Sequence, residues 1–194
     1  SDRANKNIEI RNLDTSCVYR ESYDKLIIAT GASPLRLNIP GADLDGVVPL
    51  WTLRDMDRIK GICDSGTQSA VISGGGYVGV ETAENLALRG IKTYIIQRSG
   101  QLLAPFDPEM AQLAADEMRR NGVEIYFDCT ISEIKKTDRG QLRVILSEGT
   151  VIDAGIVITS GGIKFNSELA ANARLDIGKR GSIQVNPHLQ TSDH

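Results

Sequence analysis

The sequence predicts an α/β fold: a parallel sheet whose strands alternate with helices, joined by an antiparallel β-meander. Three observations predict it. The apolar run SAVIS (residues 69–73) passes through consecutive glycines into a helical pattern and out into a second apolar run, KTYIIQ (92–97). That is a βαβ unit of about thirty residues, the length a parallel crossover needs. A second helix and strand follow between Asp107 and Asp128, and from Thr130 to Asp153 the apolar period drops to two. Period two is the mark of half-buried strands.

The elements follow in order. KNIEIRNLDTSCVYRESYDKLIIAT reads as a hairpin of two short strands around Asn12 to Thr15, then a buried strand from Lys25 to Ala29. SPLRLNIPGADLDGVVP has no period and is rich in proline and glycine, so it reads as a linker, with a domain boundary near residues 38–50. Thr52 and Asp55 form a capping-box pair for a helix to about Cys63, with Leu53, Met56, Ile59 and Lys60 on one face. VGVETAENLALRG is a helix with Val80, Ala83 and Ala87 on one side and Gly90 as its stop. Asp107 caps the next helix, Pro108 takes its first position, and Met110, Leu113, Ala114 and Met118 are expected to face inward before Gly122 ends it. VEIYFD is a third parallel strand. Turn signals at DRG and SEG divide the meander into three strands, and GIVITSGG is a further buried strand. The tail carries a short helix at Ser167–Asn172 and a strand near Ser182–Val185.

Composition narrows the function classes. A chain of 194 residues, 41% hydrophobic, can bury one or two cores. Its net charge of −3 comes without a block of either sign, which argues against nucleic acid as a partner. No apolar run approaches the roughly 18 residues of a membrane span, and the polar start SDRANKNIEI is unlike a signal peptide, so a cytoplasmic location is expected. Cys17, Cys63 and Cys129 show no metal-ligand spacing and are expected to be buried or half-buried thiols. His188 and His194 crowd the end of the chain and are assigned no catalytic role. The chain begins at Ser1 without an initiator Met and stops at TSDH, which reads as an excised piece.

The glycines carry the chemistry. SGGGYVGVETAENL contains the pattern GxGxxG at Gly74, Gly76 and Gly79. Gly74 lets the chain leave the strand in a tight turn, Gly76 lets a diphosphate touch backbone amides, and Gly79 lets the helix lie close to the strand. Gly75 and Val78 belong to the same loop and helix start. Free amides there, backed by the helix dipole, would face negative charge. Preceded by a strand and followed by a helix, the motif points to a Rossmann-like domain that binds a nicotinamide dinucleotide. Eighteen positions beyond Gly79, where a carboxylate usually accepts ribose hydroxyls, stands Gln97, followed by Arg98 and Ser99. A carboxylate about 4 Å from a 2′-phosphate would repel it by roughly 4 kcal/mol at an effective dielectric of 20; Gln97 removes that repulsion and Arg98 adds attraction. NADPH is therefore favoured, with NADH or dual use left open because Gln97 can also bond a ribose diol. FAD is the least expected ligand of this pocket. Glu81 reads as an acid in the first helical turn, and Tyr77 as a residue at the mouth of the turn.

Four stretches together resemble the pyridine nucleotide-disulfide oxidoreductases, most closely their coenzyme A-disulfide reductase and NADH oxidase branch. YDKLIIATGASP is similar to the segment that closes the first part of the family's FAD domain, and LWTLRDMDRIK to the helix after the crossover. GGGYVGVETAENL resembles the nicotinamide-nucleotide motif, and ITSGGIKFNSEL with GSIQVNPHLQTSD the return into the FAD domain. The resemblance implies a parent flavoenzyme that passes hydride from NAD(P)H to FAD and on to a disulfide such as coenzyme A disulfide, or to dioxygen. It implies a domain order of 1–40, a partial FAD-domain segment; 41–160, the NAD(P)H-binding domain; and 161–194, a partial FAD-domain return. By the same resemblance Tyr77 covers the flavin until nicotinamide displaces it. Glu81 orients a lysine from the FAD domain, and Gly161 and Gly162 pass close to the nicotinamide. No cysteine matches the family's redox position, so no catalytic residue is assigned, and FAD is not expected to bind this piece. The parent is expected to be a homodimer through a domain not contained here, with no membrane partner.

Two rivals remain. A self-contained NADP dehydrogenase of the short-chain type needs Tyr-x-x-x-Lys, and no tyrosine here has lysine four residues later. A nucleotide-sensing module would have no need of the ATG segment ahead of the crossover.

Overall fold

A computed structural model describes residues 2–193, so His194 lies outside the described residues. The chain forms two compact units. Residues Pro34–Gly162 make one; the residues up to Ser33 and those from Ile163 onward make the other.

The discontinuous unit begins with β1 (Asn7–Arg11) and β2 (Val18–Ser22), an antiparallel hairpin with Ile10 opposite Tyr19. Asn12 shapes its turn, its side-chain oxygen accepting the amides of Asp14 and Thr15. The expected strand at Lys25–Ala29 does not form. No strand among the described residues pairs with that segment, and Ile27 is 89% exposed. A lone strand would leave its backbone groups without ladder partners. Next comes β3 (Ala32–Pro34), whose last residue opens the other unit.

The continuous unit starts at β4 (Val47–Pro49), a strand inside the stretch expected to be linker. Its two valines pair with the neighbouring strand, and burial rather than periodicity defines it: Val48 is fully buried. Helix α1 (Leu53–Asp64) opens on the expected capping box, with Thr52 Oγ1 accepting the Asp55 amide and the Asp55 carboxylate accepting the Thr52 amide. Its buried residues are Ile59 and Cys63, whereas Leu53 and Met56 are exposed, so the buried stripe lies one turn later than the pattern predicted.

Strand β5 (Ser69–Ser73) leads to helix α2 (Tyr77–Leu88) and strand β6 (Lys92–Ile96), the predicted βαβ unit. Ala83 and Leu86 are buried, Val80 and Ala87 pack beside them, and Gly90 takes a positive φ just past the helix. Helix α3 (Pro108–Arg120) has Asp107 as its N-cap residue, but the side chain makes no capping hydrogen bond. It buries Ala111, Ala115 and Met118; Met110 and Leu113 face solvent, against expectation. Strand β7 (Glu124–Tyr126) pairs parallel to β6. The meander is β8 (Ile131–Lys136), β9 (Leu142–Leu146) and β10 (Val151–Ala154), all antiparallel as predicted. Strand β11 (Ile156–Thr159) then inserts between β4 and β5.

The result is a five-stranded parallel sheet in the order β4-β11-β5-β6-β7 between two layers. Ile72, Ile95 and Ile158 face one way, onto Ile59, Ala83, Leu86, Ala115 and Met118 of the three helices. Val71, Ile96 and Val157 face the other way, onto Ile134, Val144 and Ile152 of the meander. Both faces of the sheet are covered, as a parallel sheet requires. Each fully buried isoleucine contributes about 1.5–3 kcal/mol.

The chain re-enters the first unit through β12 (Ile163–Phe165), which pairs with β3, and continues into the short helix α4 (Glu168–Asn172). Asn166 ties this return to the earlier segment, accepting from Ser33 Oγ and donating to the Thr30 carbonyl. The expected strand at Ser182–Val185 is reduced to one bridge between Ile177 and Ile183. Cys63 and Cys129 are buried, but Cys17 is exposed on the hairpin, where no second layer covers it. No helix among the described residues is long and apolar enough to cross a membrane.

Candidate dinucleotide site

The glycine loop at the carboxyl end of β5 is built by close backbone approach. Gly74 has φ of +115°, a conformation that side chains rarely adopt. A Cβ on it would lie 3.0 Å from the Ser160 carbonyl and 3.1 Å from Gly161 Cα. At Gly79 a Cβ would fall 1.9 Å from the Gly74 carbonyl oxygen and 2.9 Å from Ser160 Oγ. So the first turn of α2 rests on the loop that precedes it, and only glycine permits that.

Gly76 differs from both. It is the N-cap of α2, its backbone is extended (φ −78°, ψ −174°), and a Cβ there would meet no protein atom within 4 Å. The space in front of it is open. Among the described residues the amides of Gly76, Tyr77, Val78 and Gly79 donate to no protein acceptor, and no side chain caps the helix. Four unpaired donors among the described residues at the start of a 12-residue helix, with open space in front of Gly76, fit an anionic diphosphate. The residues present fit the diphosphate of a nicotinamide nucleotide.

Other predicted residues gather around the loop. Gln97 is partly buried and turned inward: its Oε1 accepts the Gly75 amide at 2.8 Å, while Nε2 donates to Ser99 Oγ at 2.6 Å and to the Gln101 carbonyl at 3.0 Å. Its amide is thus committed within the chain. Arg98, next to it, is exposed and forms no hydrogen bond or ion pair among the described residues. Tyr77 is half exposed and packs edge-on against Phe106, with ring centroids 5.9 Å apart. Glu81 is exposed; because α2 starts at Tyr77, it falls in the second turn and not the first. Its side chain and that of Val78 line a groove of about 390 Å³ between α1 and α2, which also touches Cys63. Burial pushes the Cys63 thiol above its ordinary pKa. Gly161 and Gly162 are both exposed; Gly161 lies against Gly74, and the carbonyl of Gly162 (φ +123°) accepts the Leu35 amide.

Sequence reasoning missed Ser160. Its hydroxyl lies 3.2 Å from the Ser73 carbonyl and 3.1 Å from that of Gly74, directing a shared hydrogen bond onto the loop. The signal was a small hydroxyl residue beside two glycines at the end of β11. Leu102 and Leu103 were also missed: Leu103 donates its amide to the Gly75 carbonyl at 2.8 Å. No cluster of metal-ligating side chains exists among the described residues.

A sequence profile of the pyridine nucleotide-disulphide oxidoreductases matches residues 1–194. The chain belongs to this family. Pyridine nucleotide-disulphide oxidoreductases use FAD and NAD(P)H. Among curated relatives, the NADH oxidase of Methanocaldococcus jannaschii is 31% identical over 193 residues, covering 95% of this chain and 42% of that protein. The NAD(P)H coenzyme A polysulfide/persulfide reductase of Pyrococcus horikoshii is 33% identical, covering 96% of this chain and 43% of the relative. Reduced CoADR-RHD of Bacillus anthracis superposes with a TM-score of 0.90 at 36% identity, covering 99% of this chain and 34% of that one. The chain therefore spans less than half the length of these relatives.

Proposed function

We propose that this chain is the NAD(P)H-binding portion of a flavin-dependent oxidoreductase that passes hydride to FAD and on to a disulfide, such as coenzyme A disulfide, or to dioxygen. The observation that carries the reading is the open face of Gly76 with four unpaired amides at the start of α2. When bound, the nicotinamide nucleotide supplies the hydride. The chain's own residues bind and orient: the amides from Gly76 to Gly79 take the diphosphate, and Gly161 lines the approach from β11. Tyr77, half exposed at the mouth of the loop, shields the space beyond it, and Glu81 offers a carboxylate from α2. No group of this chain is assigned to proton transfer or nucleophilic attack.

Residues 1–40 and 161–194 are read as parts of the flavin domain, on either side of a nucleotide domain at 41–160. The high exposure of Leu13 (88%) and Ile27 (89%) supports apolar surface that a further layer covers. NADPH is the favoured nucleotide, supported by the Arg98 guanidinium, exposed and without a partner among the described residues, and by a glutamine rather than a carboxylate at position 97. Titration of the chain with NADPH, NADH and FAD at matched salt tests this. NADPH binding most tightly, and Arg98→Glu weakening NADPH far more than NADH, are the expected results. A tenfold preference for NADH removes the role given to Arg98, and stoichiometric FAD binding overturns the domain assignment.

A further inference from the structure

The middle glycine of the triplet is left unexplained by GxGxxG, and the structure explains it. Gly75 has no positive φ, yet a Cβ on it would lie 2.5 Å from Leu102 Cδ2 and 3.3 Å from the Gln97 side-chain amide carbon. Both ends of its backbone are held by one segment, the connection that follows β6. The Gly75 amide donates to Gln97 Oε1, and its carbonyl accepts the Leu103 amide. Leu103 itself sits at φ of +50°, a conformation costly for a branched side chain.

Both amide hydrogens of Gln97 are committed by this arrangement. Its oxygen takes the Gly75 amide, its two amide hydrogens go to Ser99 Oγ and the Gln101 carbonyl, and Ser99 Oγ in turn reaches the Gln101 carbonyl at 3.2 Å. A glutamate would keep the first bond and lose both donors. We propose that Gln97 is a positioning residue that latches the connection after β6 to the glycine loop, so that Arg98 and the diphosphate-facing amides are set as one unit. Arg98 adjoins the latch on one side, and Gly76, the first unpaired amide, adjoins it on the other. The inference deepens the proposed nucleotide reading and rests on it for its binding arm alone.

The test combines amide exchange with binding on the 15N-labelled chain. In the wild type the Gly75 amide is expected to exchange slowly. Gln97→Leu, which keeps bulk but no polar atom, is expected to expose that amide and to weaken NADPH and NADH alike, by roughly tenfold. Gln97→Glu keeps the accepting oxygen, so Gly75 protection is rescued, which a loss due only to misfolding would not show. Arg98→Ala is expected to weaken NADPH alone and leave Gly75 exchange unchanged. Fast Gly75 exchange in the wild type, or its persistence in Gln97→Leu, overturns the latch. So does a Gln97→Leu loss confined to NADPH, which would make Gln97 a direct reader of the phosphate. Should the wild type bind neither nucleotide, the functional reading falls while the exchange arm still decides the latch.

Discussion

Replacing Gly79 by alanine should separate close backbone approach from helix propensity. Alanine is favoured over glycine within a helix by about 1 kcal/mol. Against this, the added Cβ would lie 1.9 Å from the carbonyl oxygen of Gly74. Ordinary contact is near 3.5 Å, so α2 would have to withdraw by roughly 1.6 Å. The atom it meets is backbone in a residue with φ of +115°, braced by Ser160, and cannot rotate away like a side-chain tip. Overpacking of this kind costs about 1–3 kcal/mol, and rigidity puts it at the upper end, leaving a net loss near 2 kcal/mol. For a chain of this size that lowers Tm by roughly 4–8 °C. Gly61 is the internal control: it lies in α1, is exposed, has ordinary φ and would meet nothing within 4 Å. Gly61→Ala should raise Tm by about 1–4 °C. The single tryptophan, Trp51, sits beside the N-cap of α1 and reports unfolding of this unit by fluorescence. A Gly79→Ala chain as stable as Gly61→Ala would refute the reasoning.

Gly76→Ala should leave Tm unchanged, because its Cβ meets no protein atom, yet weaken NADPH. Blocking one hydrogen bond to a charged group costs about 1.5–3 kcal/mol, or roughly ten- to hundredfold in Kd by isothermal titration. Thiol labelling of the native chain should modify Cys17 rapidly and Cys63 and Cys129 only in denaturant, since burial both shields those two and raises their pKa. The Arg143 guanidinium grips Asp153 across β9 and β10 at 2.8 and 2.9 Å and holds that carboxyl below its ordinary pKa. Its contribution is therefore present above about pH 4, the unfolded value, and is lost as pH falls through the lower folded value. Thermal melts of Arg143→Met should show a loss at pH 7, smaller than that of Gly79→Ala because the pair is exposed, and the gap to wild type should close on acidification.

Where the hydrophobic pattern was long or punctuated by chemistry, it was legible in the sequence. The capping box at Thr52 and Asp55, the strand-glycine-helix passage and the meander turns are local signals, and each appears as predicted. What failed depends on partners distant in the chain. Lys25–Ala29 has the composition of a buried strand but no neighbour to pair with among the described residues, whereas Val47–Pro49 has little strand signal and pairs with three residues of sequence-distant β11. The helix faces differ for a related reason: α3 buries the small residues Ala111 and Ala115 and leaves Met110 and Leu113 exposed, which no count of large apolar residues reveals. In the site, the tight turn at Gly74 and the close helix approach at Gly79 could be read from spacing, but the inward turn of Gln97 could not. A glutamine carries no sign of which way it points, and Ser160, which braces the same loop, lies over eighty positions away.

The central claim is that a nucleotide diphosphate rests on the backbone donors opening α2. Titrating the 15N-labelled chain with NADPH and following every amide resonance tests it most directly. The resonances of Gly76, Tyr77, Val78 and Gly79 are expected to move furthest and to saturate together with that of Arg98. If those four stand still while resonances of the α1–α2 groove or of the hairpin unit shift instead, the nucleotide lies elsewhere and the account is contradicted.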